Sequence, residues 1–117
     1  MEVLNLSFNR ISSLENIHIN VGNIQILSLR HNQISKVEDL VKLYSLVKLD
    51  LSHNLIGSIT EVSKLHSLPL LNSIWLSQNP IDTMKNYRWK ILKIFAVRND
   101  NVSYILLYYE KIESILN

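Results

Sequence analysis

The chain has 117 residues and a formal net charge of +2 at neutral pH, which suits one domain and shows no strong charge bias. It contains no cysteine, so disulfides, thiol catalysis and thiolate metal sites are excluded. Its two glycines exclude a glycine-rich phosphate loop. Leu and Ile together make up 35 residues, beside 13 asparagines. This combination needs a joint explanation.

The sequence is built from an internal repeat. Four segments align on the pattern L-x-x-L-x-L-x-x-N-x-[IL], and they are residues 1–11, 24–34, 46–56 and 71–81. Their asparagines follow one another at intervals of 23, 22 and 25 residues, within the period of about 20–29 residues of leucine-rich repeats. The repeat therefore predicts a solenoid of about four coils over residues 1–81.

Each predicted coil begins with a short strand, because its paired leucines alternate with outward-facing residues at period two. One crossover per coil brings each strand back parallel to the strand before it. The predicted fold is an α/β solenoid, a leucine-rich repeat array. It has a curved parallel sheet on its concave face and short helices, 3-10 turns or loops on its convex face.

An asparagine follows every predicted strand, at Asn9, Asn32, Asn54 and Asn79. Its side chain offers two donors and an acceptor, which suits the backbone groups left open where the chain turns off the sheet. We expect these four side chains to form a buried, hydrogen-bonded ladder through the stack.

The repeat stops after Ile81. Residues 82–95 have the apolar spacing of a helix, which Asp82 or Thr83 would cap at its start. Residues 102–106 are β-prone, and residues 109–116 have the pattern of a short amphipathic helix. Together they predict a helix-strand-helix cap over residues 82–117. No such cap precedes the first repeat, so we expect the chain to be the C-terminal part of a longer array.

The stretch from Gly22 to Phe95 resembles a known family. Asn79-Pro80-Ile81, Tyr87-Arg88 and Ile91-Leu92 fit the cap pattern N-P-[IL]-x5-Y-R-x2-[VI]-L of intracellular leucine-rich repeats of the 22-residue type. Within that class the sequence is most similar to nischarin-like proteins, through residues 22–24, 42–47, 49–51, 67–69, 79–80 and 87–88. The cap residues that this resemblance implies are Tyr87, Arg88, Leu92 and Phe95.

The resemblance implies a non-catalytic scaffold that binds signalling or trafficking proteins of the small GTPase or kinase class. It implies a cytoplasmic location, with endosome association only through parts of the family that lie outside this sequence. We expect a monomer within a larger polypeptide, with no cofactor, no nucleic acid and no membrane insertion. The alternatives are a structural spacer in a larger repeat protein and a repeat subunit of the phosphatase-regulatory type.

Outward-facing positions of the predicted strands form columns on the concave face. Trp75 is the sharpest candidate for binding, because a tryptophan near charged groups on a solvated face is typical of an interface hot spot. The alternative is that the C-terminal cap covers it, through Tyr104. The candidate protein-binding residues are Phe8, Arg30, His31, Lys48, Asp50, His53 and Trp75.

Three further hypotheses concern chemistry outside that surface. One is a metal bound by His31, His53 and Asp50, which is disfavoured because these groups come from an open surface. Another is a catalytic triad of Ser52, His53 and Asp50, which is disfavoured because alternation along a strand separates neighbouring side chains. The predicted cap helix carries the basic residues Lys85, Arg88, Lys90 and Lys93. These side chains would face solvent, an acidic partner or an anionic membrane. The sequence predicts no enzyme.

Overall fold

The computed structural model describes residues 2–96, without the side chain of Ala96. Four strands of three residues each follow one another along the chain, and they are β1 Val3–Asn5, β2 Ile26–Ser28, β3 Lys48–Asp50 and β4 Ser73–Trp75. All three pairings are parallel, and the strand order is β1-β2-β3-β4. The predicted α/β solenoid with one strand per coil is confirmed.

The pairing register places equivalent positions of the coils side by side. The inward column is Leu4, Leu27, Leu49 and Ile74. The two outward columns are Val3, Ile26, Lys48 and Ser73, and Asn5, Ser28, Asp50 and Trp75. Because the side chains of a strand alternate between its two faces, this register fixes which residues a ligand on the concave face would meet.

Short helical segments form the convex side, as the fold class predicts. Two are α-helices, α1 Ile17–Val21 and α2 Ile59–Ser63. The others are the 3-10 turns Glu38–Lys42, Lys64–Ser67 and Pro80–Thr83. Ser58 caps α2, since its hydroxyl oxygen accepts a hydrogen bond from the backbone N–H of Glu61 at 3.2 Å.

One ion-paired carboxylate joins two of these convex segments. Glu61 accepts a hydrogen bond from the backbone N–H of Val37 at 2.6 Å. Its other oxygen lies 2.9 Å from the ammonium of Lys64, which is also 3.4 Å from a carboxylate oxygen of Glu38. The third coil therefore supplies a partner for a backbone donor of the second.

The core is a stack of aliphatic side chains with no single centre. Leu27 and Leu49 of the inward column are 1% and 0% exposed, whereas Leu4 at the same position of the first coil is only half-buried. Leu6 and Ile11 are likewise half-buried, because no coil within residues 2–96 packs against their outer side. Burial in a solenoid comes from neighbouring coils, which explains this gradient along the stack.

Three of the four ladder asparagines are buried and bridge consecutive coils. The amide nitrogen of Asn32 donates to the carbonyl of Leu6 in the previous coil at 3.0 Å. Asn54 makes the same bond to Leu29, and Asn79 makes it to Leu51, both at 2.9 Å. In return, each amide oxygen accepts a backbone N–H from the previous coil, and these donors are Ile11, Ile34 and Ile56.

Asn9 departs from the predicted ladder. It is exposed, and among the described residues its amide nitrogen donates only within its own coil, to the carbonyls of Leu6 at 2.9 Å and Ser7 at 3.2 Å. The expectation of a buried Asn9 is therefore wrong. The reason is physical, since the described residues place no coil beside β1 to cover it.

The helix predicted from residue 82 begins later than expected. A 3-10 turn occupies Pro80–Thr83, and the helix α3 spans Tyr87–Ala96. Asn86 has a φ of 60°, a left-handed conformation that interrupts the helix path. Neither Asp82 nor Thr83 therefore caps α3, although Tyr87 and Phe95 follow the apolar spacing and are buried.

The other C-terminal predictions lie outside the described residues. They are the strand at residues 102–106, the helix at residues 109–116 and the contact through Tyr104. Within the described part of the chain, no helix combines the length and the apolar character that crossing a bilayer requires.

Candidate functional site on the concave face

The concave face holds a shallow cavity of about 210 Å³. Its lining comes from β2, β3 and β4, and consists of Ile26, Leu27, Ser28, Lys48, Asp50 and Trp75. Three of the predicted binding residues, Lys48, Asp50 and Trp75, therefore meet at one place. The cavity combines an indole and aliphatic carbons with one cationic and one anionic side chain.

Trp75 and Asp50 stand directly opposite one another in the register of β3 and β4. Both side chains are half-buried, so part of each remains open to a ligand. One carboxylate oxygen of Asp50 accepts hydrogen bonds from the backbone N–H of Ser52 at 2.9 Å and from its hydroxyl at 2.6 Å. These bonds hold the carboxylate in one orientation beside the indole.

Two exposed cations flank this pair. Lys48 lies in β3, and Arg30 lies two residues beyond the end of β2. Among the described residues, neither Lys48, Arg30 nor Asp50 has an ion-pair partner within 4 Å. Their charges are therefore available to a partner, and charge pairs at an interface contribute to partner choice and to association rate.

Phe8, His31 and His53 lie beyond the strands, in the turn that precedes each ladder asparagine. Their φ angles are 60°, 57° and 57°, so all three have a left-handed backbone. Their rings stack, with centroids 4.4 Å apart for Phe8 and His31 and 3.9 Å apart for His31 and His53. We call these three side chains the ring stack. It borders the sheet, and the binding role predicted for its members stays a prediction.

The surroundings of His53 disfavour its protonation. Burial comes first among the causes, followed by the positive charges of His31 and Arg30, and together they lower its pKa from the ordinary value of 6.5. Asp50 acts in the opposite direction but does not reverse the shift. The ring stack is therefore more stable with an uncharged imidazole at His53.

The stacked geometry argues against a metal site at this place. Imidazole lone pairs lie in the plane of the ring, and the planes of His31 and His53 are within 14° of parallel at a spacing of 3.9 Å. Two rings stacked face to face cannot direct these lone pairs at one ion. No group of three or more His, Asp or Glu side chains within residues 2–96 is arranged to hold a metal.

The arrangement of Ser52, His53 and Asp50 is not that of a catalytic triad. The hydroxyl of Ser52 donates directly to Asp50, and Ser52 is only 2% exposed. The His53 ring stacks on His31. A triad needs the histidine between the nucleophile and the acid, with the nucleophile open to substrate.

The basic residues near the C-terminal helix do not form one uniform group. Lys85, Lys90 and Lys93 are exposed, and none of them has an ion pair within 4 Å among the described residues. Arg88 instead lies 3.8 Å from a carboxylate oxygen of Asp82, and its guanidinium stands 4.9 Å from the centroid of the Tyr87 ring. Its contact is therefore with this chain, whereas a partner for the three lysines stays a prediction.

The four cap residues implied by the resemblance occupy α3. Tyr87 and Phe95 are 2% and 1% exposed, Leu92 packs half-buried against the core, and Arg88 is half-buried at the helix start. Ile91, which is 0% exposed, joins them in the same apolar cluster. α3 thus contributes its inward face to the core of the solenoid.

Sequence reasoning missed the ring stack and the cavity. A signal for the ring stack was available. The side chain before each ladder asparagine ends in a planar group, and histidine is one of the residue types enriched in left-handed conformation. The equivalent Gln78 also has a positive φ, of 59°. The cavity had no such signal, since it depends on how the side chains of three strands fill the concave surface.

Comparisons with known proteins agree with this architecture. The family described as Leucine Rich repeats (2 copies) matches residues 22–64. A chain in the crystal structure of the Drosophila melanogaster SNF/U2A' complex is similar with a TM-score of 0.62 and 21% identity, over 80% of this chain and 68% of that chain. An internalin (inlF) from Listeria monocytogenes is similar with a TM-score of 0.51 and 23% identity, over 68% of this chain and 29% of that chain.

No curated protein sequence matches the chain. The described residues nevertheless show the repeat, the single parallel sheet and the inter-coil asparagines together. The match to the repeat family over residues 22–64 and the similarity to two solved structures agree with these features. The fold of this chain is therefore a leucine-rich repeat solenoid.

Proposed function

We propose that the chain is a non-catalytic protein-interaction module that binds its partner through the concave face. The observation that carries this proposal is the cavity in which Trp75 and Asp50 stand side by side. Leucine-rich repeat proteins generally mediate protein-protein interaction, and one structural neighbour was solved as part of a complex, SNF/U2A' from Drosophila melanogaster.

The chemistry of the cavity indicates what the partner presents. Trp75 and Ile26 offer apolar surface for a hydrophobic or aromatic side chain of the partner. Hot spots of binding energy are enriched in tryptophan and arginine near the centre of an interface. Arg30 and Lys48 favour an acidic group of the partner at the edge of the interface. The charge of Asp50 favours one orientation of the bound partner.

The partner class is a finer part of the proposal. The support is the similarity of residues 22–95 to nischarin-like scaffolds, which implies small GTPases or kinases of signalling and trafficking. In that setting the chain works in the cytoplasm as a monomeric part of a larger polypeptide. Endosome association would then come from other regions of that polypeptide.

The proposal is tested by capture from cells with the full chain and two variants. The double variant Trp75→Ala with Arg30→Glu changes the concave face, and Tyr44→Ala with Lys42→Glu changes exposed residues outside the sheet. We expect mass spectrometry to find a protein that binds the wild type and the second variant but not the first. Circular dichroism should be the same for all three.

The possible outcomes test three parts of the proposal separately: the binding surface, the role in interaction and the class of partner. Equal capture by both variants would remove the concave face as the binding site. Capture of nothing by the wild type would favour the structural spacer. A protein that depends on Trp75 but is neither a GTPase nor a kinase would retain the interaction module and reject the nischarin-like partner class.

A further inference from the structure

The outward face of α3 carries an exposed indole among lysines. Tyr87, Ile91 and Phe95 recur every four residues and bury the opposite face of the helix, at 2%, 0% and 1% exposure. Trp89 is 56% exposed. Lys93 follows it by four residues and is also exposed, so the two side chains are neighbours on the outer surface of the helix.

Lys90 and Lys85 lie beside this pair. Lys90 is exposed and directly follows Trp89. Its ammonium lies 3.9 Å from the sulfur of Met84, which places it next to the segment that carries the exposed Lys85. We call the side chains of Lys85, Trp89, Lys90 and Lys93 the basic face.

Positive charge is concentrated in this part of the chain. Residues 83–96 contain four basic side chains and no acidic one, whereas residues 2–82 contain six basic and seven acidic ones. The helix α3 packs against α2, but the carboxylate of α2 is already engaged, since Glu61 accepts from Lys64 and from the backbone of Val37. None of the three lysines of the basic face has an ion pair within 4 Å among the described residues. Their charges therefore favour an anionic ligand.

The type of cation indicates which anionic ligand fits best. Arg88 lies 3.8 Å from a carboxylate oxygen of Asp82 and 4.9 Å from the centroid of the Tyr87 ring, so it is engaged within the chain. The cations of the basic face are all lysines, whose compact ammonium groups lack the fixed two-pronged geometry of arginine. Interfaces between proteins are enriched in arginine and depleted of lysine. Lysine clusters on a helix surface are instead typical of contact with anionic lipid.

The exposed ring of Trp89 fits the same kind of surface. An indole combines a large apolar body with a polar N–H group, and tryptophan is enriched where a membrane meets water. The long aliphatic stems of lysines let their ammonium groups reach the phosphates and carboxylates of lipid headgroups while the ring lies among them. A ring with lysines before and after it along the chain therefore suits an extended anionic surface.

We propose that the basic face binds an anionic membrane surface, with its three lysines at the lipid headgroups and Trp89 between them. The contact is peripheral, because the apolar face of α3 stays in the core of the solenoid. Each lysine at such a surface strengthens binding about fivefold, and salt weakens the attraction. The basic face shares no residue with the concave cavity, so this proposal and the proposed function are tested independently.

The first measurement is co-sedimentation of the full chain with lipid vesicles. One set of vesicles consists of phosphatidylcholine, and the other contains phosphatidylcholine and phosphatidylserine in equal parts. We expect binding to the anionic vesicles only. Raising the salt concentration from about 0.1 M to about 1 M should release the chain, because the screening length falls from about 10 Å to about 3 Å.

Two variants of equal net charge show which surface binds. The test variant is Lys85→Gln, Lys90→Gln and Lys93→Gln, and it should lower the partition coefficient at least about tenfold. The matched control is Arg10→Gln, Lys36→Gln and Lys42→Gln, which removes three exposed cations outside α3. The control should bind the anionic vesicles nearly as well as the original chain does. Circular dichroism should be the same for all three proteins.

Tryptophan fluorescence locates the contact. The chain has two tryptophans, so Trp75→Phe leaves Trp89 as the single indole. On anionic vesicles its emission should shift to shorter wavelengths, and acrylamide should quench it less. The converse variant Trp89→Phe reports on Trp75, whose emission should not shift.

Absence of binding to the anionic vesicles would overturn the proposal, and so would equal binding to both kinds of vesicle. Equal binding by the test variant and its control would also overturn it. An unchanged Trp89 emission on vesicles that carry the chain would do the same, because another surface would then touch the lipid. If the three lysines capture an acidic protein or a nucleic acid while the chain binds no vesicle, the basic face belongs to that macromolecule instead. None of these results bears on capture through the concave face.

Discussion

The side-chain amide nitrogen of Asn54 donates to the carbonyl oxygen of Leu29 at 2.9 Å, although Leu29 lies 25 residues earlier in the chain. Both residues are buried. The same amide donates to Leu51 in its own coil at 3.0 Å. One polar side chain therefore joins two consecutive turns of the solenoid in an apolar environment, where hydrogen bonds are strong and missing ones are costly.

Replacing this side chain with an apolar one of similar size should destabilise the fold. Asn54→Leu leaves the buried N–H of Ile34 without its acceptor, while the carbonyl of Leu29 keeps only its bond from Asn32. An unsatisfied buried group costs about 1–3 kcal/mol, so we expect the free energy of unfolding to fall by about this amount. Urea denaturation followed by circular dichroism measures it.

The first coil supplies the matched control for that experiment. Asn9 has the same position in the repeat but is exposed, and it joins no second coil in the part of the chain that the structure describes. Asn9→Leu should change stability by less than about 0.5 kcal/mol, as most exposed substitutions do. Equal losses in the two variants would contradict the inter-coil role of the asparagine.

The loss of stability on shortening a side chain of the inward column should follow the gradient of burial along the stack. Leu27→Ala empties a position that is 1% exposed, and such substitutions cost about 2–5 kcal/mol. Leu4→Ala at the equivalent position removes a half-buried side chain and should cost less than half as much. The comparison is made by thermal or urea unfolding of the two variants, and similar losses would contradict the burial gradient.

Much of this architecture could be predicted from the sequence, because residues at the same position of each repeat occupy equivalent places in the fold. Leu27, Leu49 and Ile74 could be aligned before any pairing was known, and the parallel register followed. The start of α3 could not be predicted, since the apolar spacing from Ile81 through Phe95 continues without a break. Only the left-handed backbone at Asn86 shows that two helical segments share this spacing.

The candidate site was predictable residue by residue but not as a surface. Alternation along the strands assigned Lys48, Asp50 and Trp75 to the outward face. It contains no information on side-chain rotation, so it could not show that these three side chains line one cavity. It also could not show that the hydroxyl of Ser52 is held by Asp50.

Glu61 provides a prediction for the convex side. Burial opposes its ionisation, but hydrogen bonds from Lys64 and from the backbone of Val37 outweigh it and lower its pKa. Glu61→Ala removes the partner of the Val37 N–H and should cost about 1–3 kcal/mol. Glu61→Gln keeps an acceptor oxygen and should cost less, as urea denaturation at pH 7 would show. An equal effect of both variants would mean that only the charge matters.

The ring stack predicts a pH dependence of stability. The pKa of His53 is lowered in the folded chain, so below about pH 6.5 the unfolded chain takes up the proton more readily. The free energy of unfolding should therefore fall as the pH decreases from about 6.5 through the lowered pKa, and this loss should level off below it.

His53→Gln isolates this contribution. Glutamine already occupies the equivalent position at Gln78 with a φ of 59°, so the backbone conformation is compatible with it. Between pH 7.5 and pH 5, urea denaturation should show a smaller loss of stability in the variant than in the wild type. An identical loss in both would mean that His53 does not titrate as its surroundings indicate.

The asparagine bridges also bear on how a chain of this kind can change in length over evolution. Each bridge reaches only the coil immediately before it, and the strand pairings Val3 with Ile26, Leu27 with Leu49, and Leu49 with Ile74 do the same. Duplication or loss of one whole period would therefore recreate contacts of kinds already present. A deletion of part of a period would shift the register of every later residue in that coil. Whole coils, and not single residues, are the units in which this fold can grow or shrink.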